Sequence, residues 1–271
     1  MEAAQRGPAG SSAAANPGEA QALLGRLEGE QASRRLESGL AEFDRVLGSG
    51  IVPGSVILLG GDPGIGKSTL LLQVAASVAG SAPVLYATGE ESTQQVRARA
   101  RRLGLEAPAL QIVPESDLTR ILATAEQQRV AMLVIDSIQT VFSPEVPSSA
   151  GGVAQLRECA AALVRYAKRT GTAVCIIGHV TREGSIAGPK VLEHLVDTVL
   201  YFESDAGSRF RIVRATKNRF GAVNELAFFA MTEGGLREVA NPSAIFLARP
   251  AEVAPGSVVT VMREGGRPLL V

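Results

Sequence analysis

The sequence predicts an α/β fold: a mostly parallel central sheet with helices on both faces and an antiparallel extension toward the C-terminal side. Three observations carry that expectation. Apolar runs of strand length alternate with helical patterns from Val56 to Ile177, the arrangement that crossover connections impose on a parallel sheet. A glycine-rich loop, Gly61-Asp62-Pro63-Gly64-Ile65-Gly66-Lys67-Ser68-Thr69, joins the first of those runs to a helix. The polar groups Glu90, Asp136 and His179 each follow an apolar run, as they must if ligands gather at the carboxyl ends of the strands.

Taken in order, residues 1–34 are small, polar and aperiodic; such a stretch cannot offset the entropy of ordering and is expected to form a disordered lead. One large α/β domain is expected over residues 35–243. Ser38 to Gly50 reads as a short capped helix closed by glycine, and Pro53-Gly54 turns into the strand Val56-Ile57-Leu58-Leu59. The helix after the glycine-rich loop opens with Leu70-Leu71-Leu72 and ends at Gly80. Val84 to Thr88 is a second strand, followed by a basic helix through Arg97, Arg99, Arg101 and Arg102 to Gly104. Ile112-Val113 is a short strand, Leu118 to Gln128 a helix, and Ala131 to Asp136 a buried strand ending in a carboxylate. A long loop from Ser137 to Gly152 precedes a helix whose apolar residues, among them Leu156, Ala160, Leu163 and Ala167, recur at helical spacing until Gly171 caps it. Ala173 to Ile177 is another buried strand, followed by a glycine-rich loop and a short helix. Thr198 to Glu203, Phe210 to Lys217 and Glu225 to Met231 read as antiparallel hairpins.

Composition excludes several classes. With 46% hydrophobic and 20% charged residues over 271 positions the chain can bury a sizeable core. Lys+Arg and Asp+Glu balance at 27 each, so contact with a polyanion must come from a local patch. The only cysteines, Cys159 and Cys175, lie in apolar patterns; they are expected to be buried free thiols, not a disulfide framework or a four-cysteine zinc site. No apolar run reaches the roughly 20 residues of a bilayer span, and no apolar signal core is present at the N-terminus. The expectation is a cytoplasmic protein with no membrane partner.

The glycine-rich loop fits G-x-x-x-x-G-K-[ST], in the strand–loop–helix setting that a phosphate cradle needs. Glycines let successive backbone N–H groups turn toward one polyanion, and the helix N-terminus adds its partial positive charge. Residues Gly61 to Thr69 are therefore assigned to nucleoside triphosphate binding, with Lys67 reaching the β- and γ-phosphates and Ser68 ligating Mg²⁺. Asp136, at the end of its strand, is expected to hold the same Mg²⁺ through water. Glu90 follows the second strand, taken here to lie next to the phosphate loop, and is the expected base or orienter for an attacking water. Glu91 could do the same, and one of the two could instead cap the helix that starts near Ser92. His179 is a candidate γ-phosphate sensor, whereas His194 is expected to be buried and structural. Thr181, Arg182 and Lys190 lie in the loop beyond His179 and are candidates for contact with a nucleic-acid backbone.

These motifs resemble the bacterial RadA (Sms) family of RecA-like DNA-repair ATPases, from Leu36 onward. The resemblance rests on the glycine-rich loop, Gly89-Glu90-Glu91-Ser92, Ile135-Asp136-Ser137-Ile138-Gln139-Thr140, Gly178-His179-Val180-Thr181 with Gly184 to Pro189, and Lys217-Asn218-Arg219-Phe220-Gly221. It implies a RecA-like P-loop NTPase that hydrolyses ATP with Mg²⁺, binds single-stranded or branched DNA, assists a RecA-type recombinase in branch migration and assembles as a homo-hexamer. It also implies that Lys217 and Arg219 reach the nucleotide of a neighbouring subunit, and that the loop from Thr181 to Lys190 faces the DNA. Two departures accompany it. The family's four-cysteine zinc module has no counterpart, so no zinc is expected; residues 244–271 resemble only the start of the family's Lon-protease-like domain. Two alternatives stay open: a nucleotide-binding assembly module with little turnover, and another RecA-like ATPase such as a clock-type kinase or a recombinase.

Overall fold

The computed structural model describes residues 34–179, 189–204, 208–243, 259–264 and 266–270. The lead expected over residues 1–34 lies outside them except for Arg34. In chain order, helix α1 (Ala41–Val46) precedes strand β1 (Val56–Gly61), helix α2 (Lys67–Val78), strand β2 (Val84–Thr88) and helix α3 (Thr93–Arg102). Strand β3 (Leu110–Pro114), helix α4 (Leu118–Gln127), strand β4 (Met132–Asp136), helix α5 (Val153–Thr170) and strand β5 (Ala173–His179) follow. After a 3₁₀ turn at Pro189–Val191 come strands β6 (Thr198–Glu203), β7 (Phe210–Asn218), β8 (Leu226–Thr232) and β9 (Gly235–Glu238). Strands β10 (Val261–Glu264) and β11 (Arg267–Leu270) pair with each other as a separate antiparallel ribbon.

The main sheet runs β3-β2-β4-β5-β1-β6-β7-β8-β9. From β3 to β6 all neighbours are parallel; β6 to β9 are antiparallel. Strand alternation divides the core into two layers. Ile57, Leu59, Tyr86, Val134 and Cys175 face α1 and α2, while Val56, Leu58, Leu85, Leu133 and Ile176 face α4 and α5. Because both faces are covered, the central parallel strands β1, β2, β4 and β5 are apolar up to their carboxyl ends, whereas the edge strand β3 exposes Gln111. Each fully buried Leu, Ile or Val contributes roughly 1.5–3 kcal/mol relative to exposure. Cys159 and Cys175 are buried free thiols.

Strand β6 forms the expected hairpin with β7 and also pairs in parallel with β1, Ile57 opposite Thr198 and Gly61 opposite Phe202. Two expectations change. The strands β2 and β1 are not neighbours, since β4 and β5 lie between them; crossover helices can span several strands, and nothing in a local pattern encodes the skip. His194 is exposed: the stretch from Leu192 to Leu195 is a turn, which buries Leu192 and Val196 and leaves His194 outside.

Helix ends follow local chemistry. Ser92 caps α3 through a reciprocal pair, its hydroxyl accepting from Gln95 N–H while Gln95 Oε1 accepts from Ser92 N–H. Neither Glu90 nor Glu91 is that cap. Gly171 ends α5 at φ 76°, as expected of a left-handed cap. At α1 the N-cap is Leu40, which makes no side-chain cap; Ser38 instead bonds Leu40 on both its N–H and its C=O.

Gly61 is constrained by the approach of β6. At φ 153° its backbone suits glycine, and a Cβ there would lie 2.5 Å from the carbonyl oxygen of Phe202. Gly61→Ala is expected to cost about 1–3 kcal/mol by overpacking, or roughly 2–4 °C in melting temperature per kcal/mol for a domain of this size. A thermal melt unchanged from that of the unmodified chain would contradict this packing.

Candidate active site

Parallel register collects the polar residues at one end of the sheet. Gly61 pairs with His179 across β1 and β5, and Thr88 with Asp136 across β2 and β4. A cavity of about 550 Å³ opens there, lined by Pro63, Gly64 and Gly66 to Thr69 of the phosphate loop together with Glu90, Glu91, Arg99, Arg102 and His179. Gly64 sits at φ 75° with nothing near its missing Cβ, whereas Gly66 precedes α2 at φ 118°, where a Cβ would lie 2.6 Å from Met231 Cε, so both positions suit glycine.

Lys67 is buried, and its ammonium donates to the carbonyls of Gly61 and Asp62, each at 2.8 Å. Burial pulls its pKa down to about 8, against the charges of Asp136, Glu90 and Asp62. A bound polyphosphate favours the charged form, so nucleotide binding at pH 8 is expected to take up roughly half a proton at this group, and almost none well below that pH. Calorimetry in two buffers of different ionisation heat checks it; no buffer dependence at pH 8 would place the lysine pKa elsewhere.

Asp136 is buried at the end of β4 and accepts from the Tyr86 hydroxyl at 2.5 Å. Burial raises its pKa, while hydrogen bonds from Tyr86 and Ser68 oppose the rise. The contact with Ser68 brings together a hydroxyl and a carboxylate, hard oxygen donors that fit a magnesium ion shared with phosphates. Among the described residues no group of three or more His, Cys, Asp or Glu forms a metal cage. One or two protein oxygens beside a triphosphate are the usual way Mg²⁺ is held, so the residues present suit that ion.

The two glutamates are separated by their partners. Glu90 Oε1 accepts from His179 Nε2 at 3.0 Å and from the Ser137 hydroxyl. The His179 bond, then the Ser137 bond and the charges of His179 and Lys67, hold the Glu90 carboxyl down at about 2 although burial opposes them. Glu91 instead pairs with Arg99. His179 Nδ1 is buried beside this cavity and has no hydrogen-bond partner among the described residues. Thr181 and Arg182 lie outside the described residues; Lys190 is exposed in the 3₁₀ turn.

Lys217 and Arg219 are not brought to this cavity. They lie at the opposite end of the sheet, where Asp197 Oδ2 accepts from the Val56 N–H that starts β1. The length of β1, five steps at about 3.3 Å, puts roughly 17 Å between the two ends. Lys217 donates to the carbonyls of Glu193 and Val196, both at 2.7 Å, and burial lowers its pKa. Arg219 bonds Asp197 Oδ1 at 3.2 Å, but its side chain remains 58% exposed.

Several site residues were not singled out from sequence. Arg99 and Arg102 line the cavity; their spacing of three puts them on one helix face, a signal hidden by the other arginines of α3. Tyr86 is the one polar-tipped aromatic in an aliphatic strand, and only the neighbouring strand β4 gives it Asp136.

The phosphate loop at the carboxyl edge of a mostly parallel sheet, with a buried strand-end aspartate beside its serine, defines a RecA-like P-loop nucleotide-binding protein. Comparison with known proteins narrows the class. The profile of the AAA domain family matches residues 24–185. Sequence identity is 60% to the DNA repair protein RadA of Pseudomonas aeruginosa over 237 residues, 57% to that of Escherichia coli over 237, and 52% to that of Bacillus subtilis over 238. Each match covers 88% of this chain and 52% of the relative, so the chain spans about half the length of these curated relatives. The crystal structure of the RadB recombinase shares the fold, with TM-score 0.57 at 22% identity over 75% of this chain and 99% of that one. The chain belongs to the AAA domain family and, within it, to the bacterial RadA family.

Proposed function

We propose that this chain is the ATPase body of a recombinational DNA-repair protein, binding ATP with Mg²⁺ and hydrolysing it to ADP and phosphate. The observation that carries the reading is the convergence of Lys67, Ser68 and Glu90 on one cavity, with the Asp136 carboxylate hydrogen-bonded to Ser68 behind it. Lys67 and the loop N–H groups bind the phosphates. Ser68 and Asp136 supply the oxygen donors for Mg²⁺, which when bound neutralises phosphate charge. Glu90, ionised at all working pH values, orients the attacking water; a carboxylate of so low a pKa is a weak base, so its contribution is placement and charge more than full proton abstraction. His179 senses the γ-phosphate, with its buried Nδ1, unpartnered among the described residues, as the supporting feature.

The Lys217–Arg219 pair stands at the opposite end of the sheet from the cavity and so does not serve its own site; the resemblance to RadA proteins assigns these cations to the nucleotide of a neighbouring copy in a hexamer. The resemblance to RadA proteins extends the proposal to single-stranded or branched DNA as the polymer engaged, through Thr181, Arg182 and Lys190, and to a RecA-type recombinase as partner during branch migration. Residues 244–271 are read as the start of a Lon-protease-like domain. No helix of the described residues is long and apolar enough to cross a membrane, which suits work in the bacterial cytoplasm.

The same separation favours one second reading: a lone copy binds nucleotide but turns it over slowly, because its trans cations face away. Steady-state ATP hydrolysis with and without single-stranded DNA at low salt, with Glu90→Gln as background and mass measured in the same samples, decides between them. DNA-stimulated turnover at hexamer mass supports the repair ATPase. Background turnover by a monomer supports the assembly module.

A further inference from the structure

We infer that Ser137 is the positioning residue of Glu90, holding its carboxylate at the phosphate cavity; the inference rests on the ATPase reading above. Ser137 is fully buried and its hydroxyl donates to Glu90 Oε1. His179 Nε2 contacts the same oxygen. Both donors therefore fix one end of the carboxylate, and Oε2 is left to address a water in the cavity. Two donors on one oxygen also define the plane in which the second can point, which is what placing a nucleophile requires.

Ser137 is suited to this because its own position is braced from three sides. The Ile138 N–H donates to the Ile177 carbonyl at 3.0 Å, tying the segment to β5. Gly89 N–H donates to the Asp136 carbonyl at 2.9 Å, tying it to the segment that carries Glu90. Thr140 donates to the Ser137 carbonyl through its hydroxyl at 2.8 Å and its N–H at 3.1 Å. The approach is close enough that a Cβ on Gly89 would lie 2.1 Å from Thr140 Oγ1. Only glycine lets the backbone before Glu90 press against this turn, so the serine and the glutamate are brought together by main-chain packing. Ser137 follows β4 and His179 ends the neighbouring β5, so both donors reach Glu90 from the carboxyl edge of the sheet.

The test compares the unmodified chain with Ser137→Ala, Glu90→Gln and the double variant, in ATPase assays with single-stranded DNA at low salt. A melting curve and the affinity for a non-hydrolysable ATP analogue are recorded for each. Ser137→Ala is expected to lower kcat about tenfold or more, the scale of a displaced catalytic group, while KM and analogue affinity stay within about twofold. In the Glu90→Gln background the same change is expected to have no further effect, because the serine acts through the glutamate. An unchanged kcat in Ser137→Ala, or an equal loss in both backgrounds, would overturn the inference. If the unmodified chain turns over no faster than Glu90→Gln, the ATPase reading itself fails and the inference falls with it.

Discussion

Lys67→Ala is expected to abolish tight triphosphate binding while leaving the fold intact. The ammonium is buried at the mouth of the phosphate loop and already bonds two of its carbonyls, so it is held in place before any ligand arrives. Hydrogen bonds between charged groups contribute roughly 1.5–3 kcal/mol each; losing those made to the phosphates weakens binding by about 10²-fold or more. The fold has less to lose. The depressed lysine pKa, about 8, means that its charge is disfavoured by burial in the free protein, so removing it relieves a desolvation cost. Titration with a fluorescent ATP analogue alongside a melting curve checks both halves. Retained affinity would remove the phosphate loop from the binding reaction; a collapsed melt would make Lys67 a structural residue.

Arg219→Ala is expected to preserve ATP binding and to lower turnover by about 10³ or more, the range seen when a cation supplied in trans is removed. Its own cavity is at the far end of the sheet, so an effect on chemistry must pass between copies. The buried Asp197 carboxylate keeps Lys168 at 2.9 Å and the Val56 N–H at 3.0 Å when Arg219 is gone, so the segment around it stays charge-balanced and folded. Mixing Arg219→Ala with Glu90→Gln copies is expected to restore part of the activity, because some sites in a mixed ring then join an intact Glu90 to an intact neighbouring Arg219. Ring-sized mass without any rescue would leave Arg219 as an anchor for Asp197.

Residue order alone determined the parts of this protein whose causes are local. The phosphate loop was legible because glycine, lysine and serine must stand at fixed spacing for one short segment to wrap a polyanion. The buried strands were legible because a sheet covered on both faces demands unbroken apolar runs, as in Met132 to Ile135. Tertiary structure alone decided what depends on which distant segments meet. It placed β4 and β5 between β2 and β1, made β6 a parallel partner of β1, and turned His194 outward. It also set Glu90 against Ser137 and His179 while sending Glu91 to Arg99, although the two glutamates are adjacent and chemically equivalent in sequence. The physical reason is the same in each case. Propensity and spacing act over a few residues, whereas sheet order, register and the partner of a carboxylate are settled by packing among segments tens of residues apart.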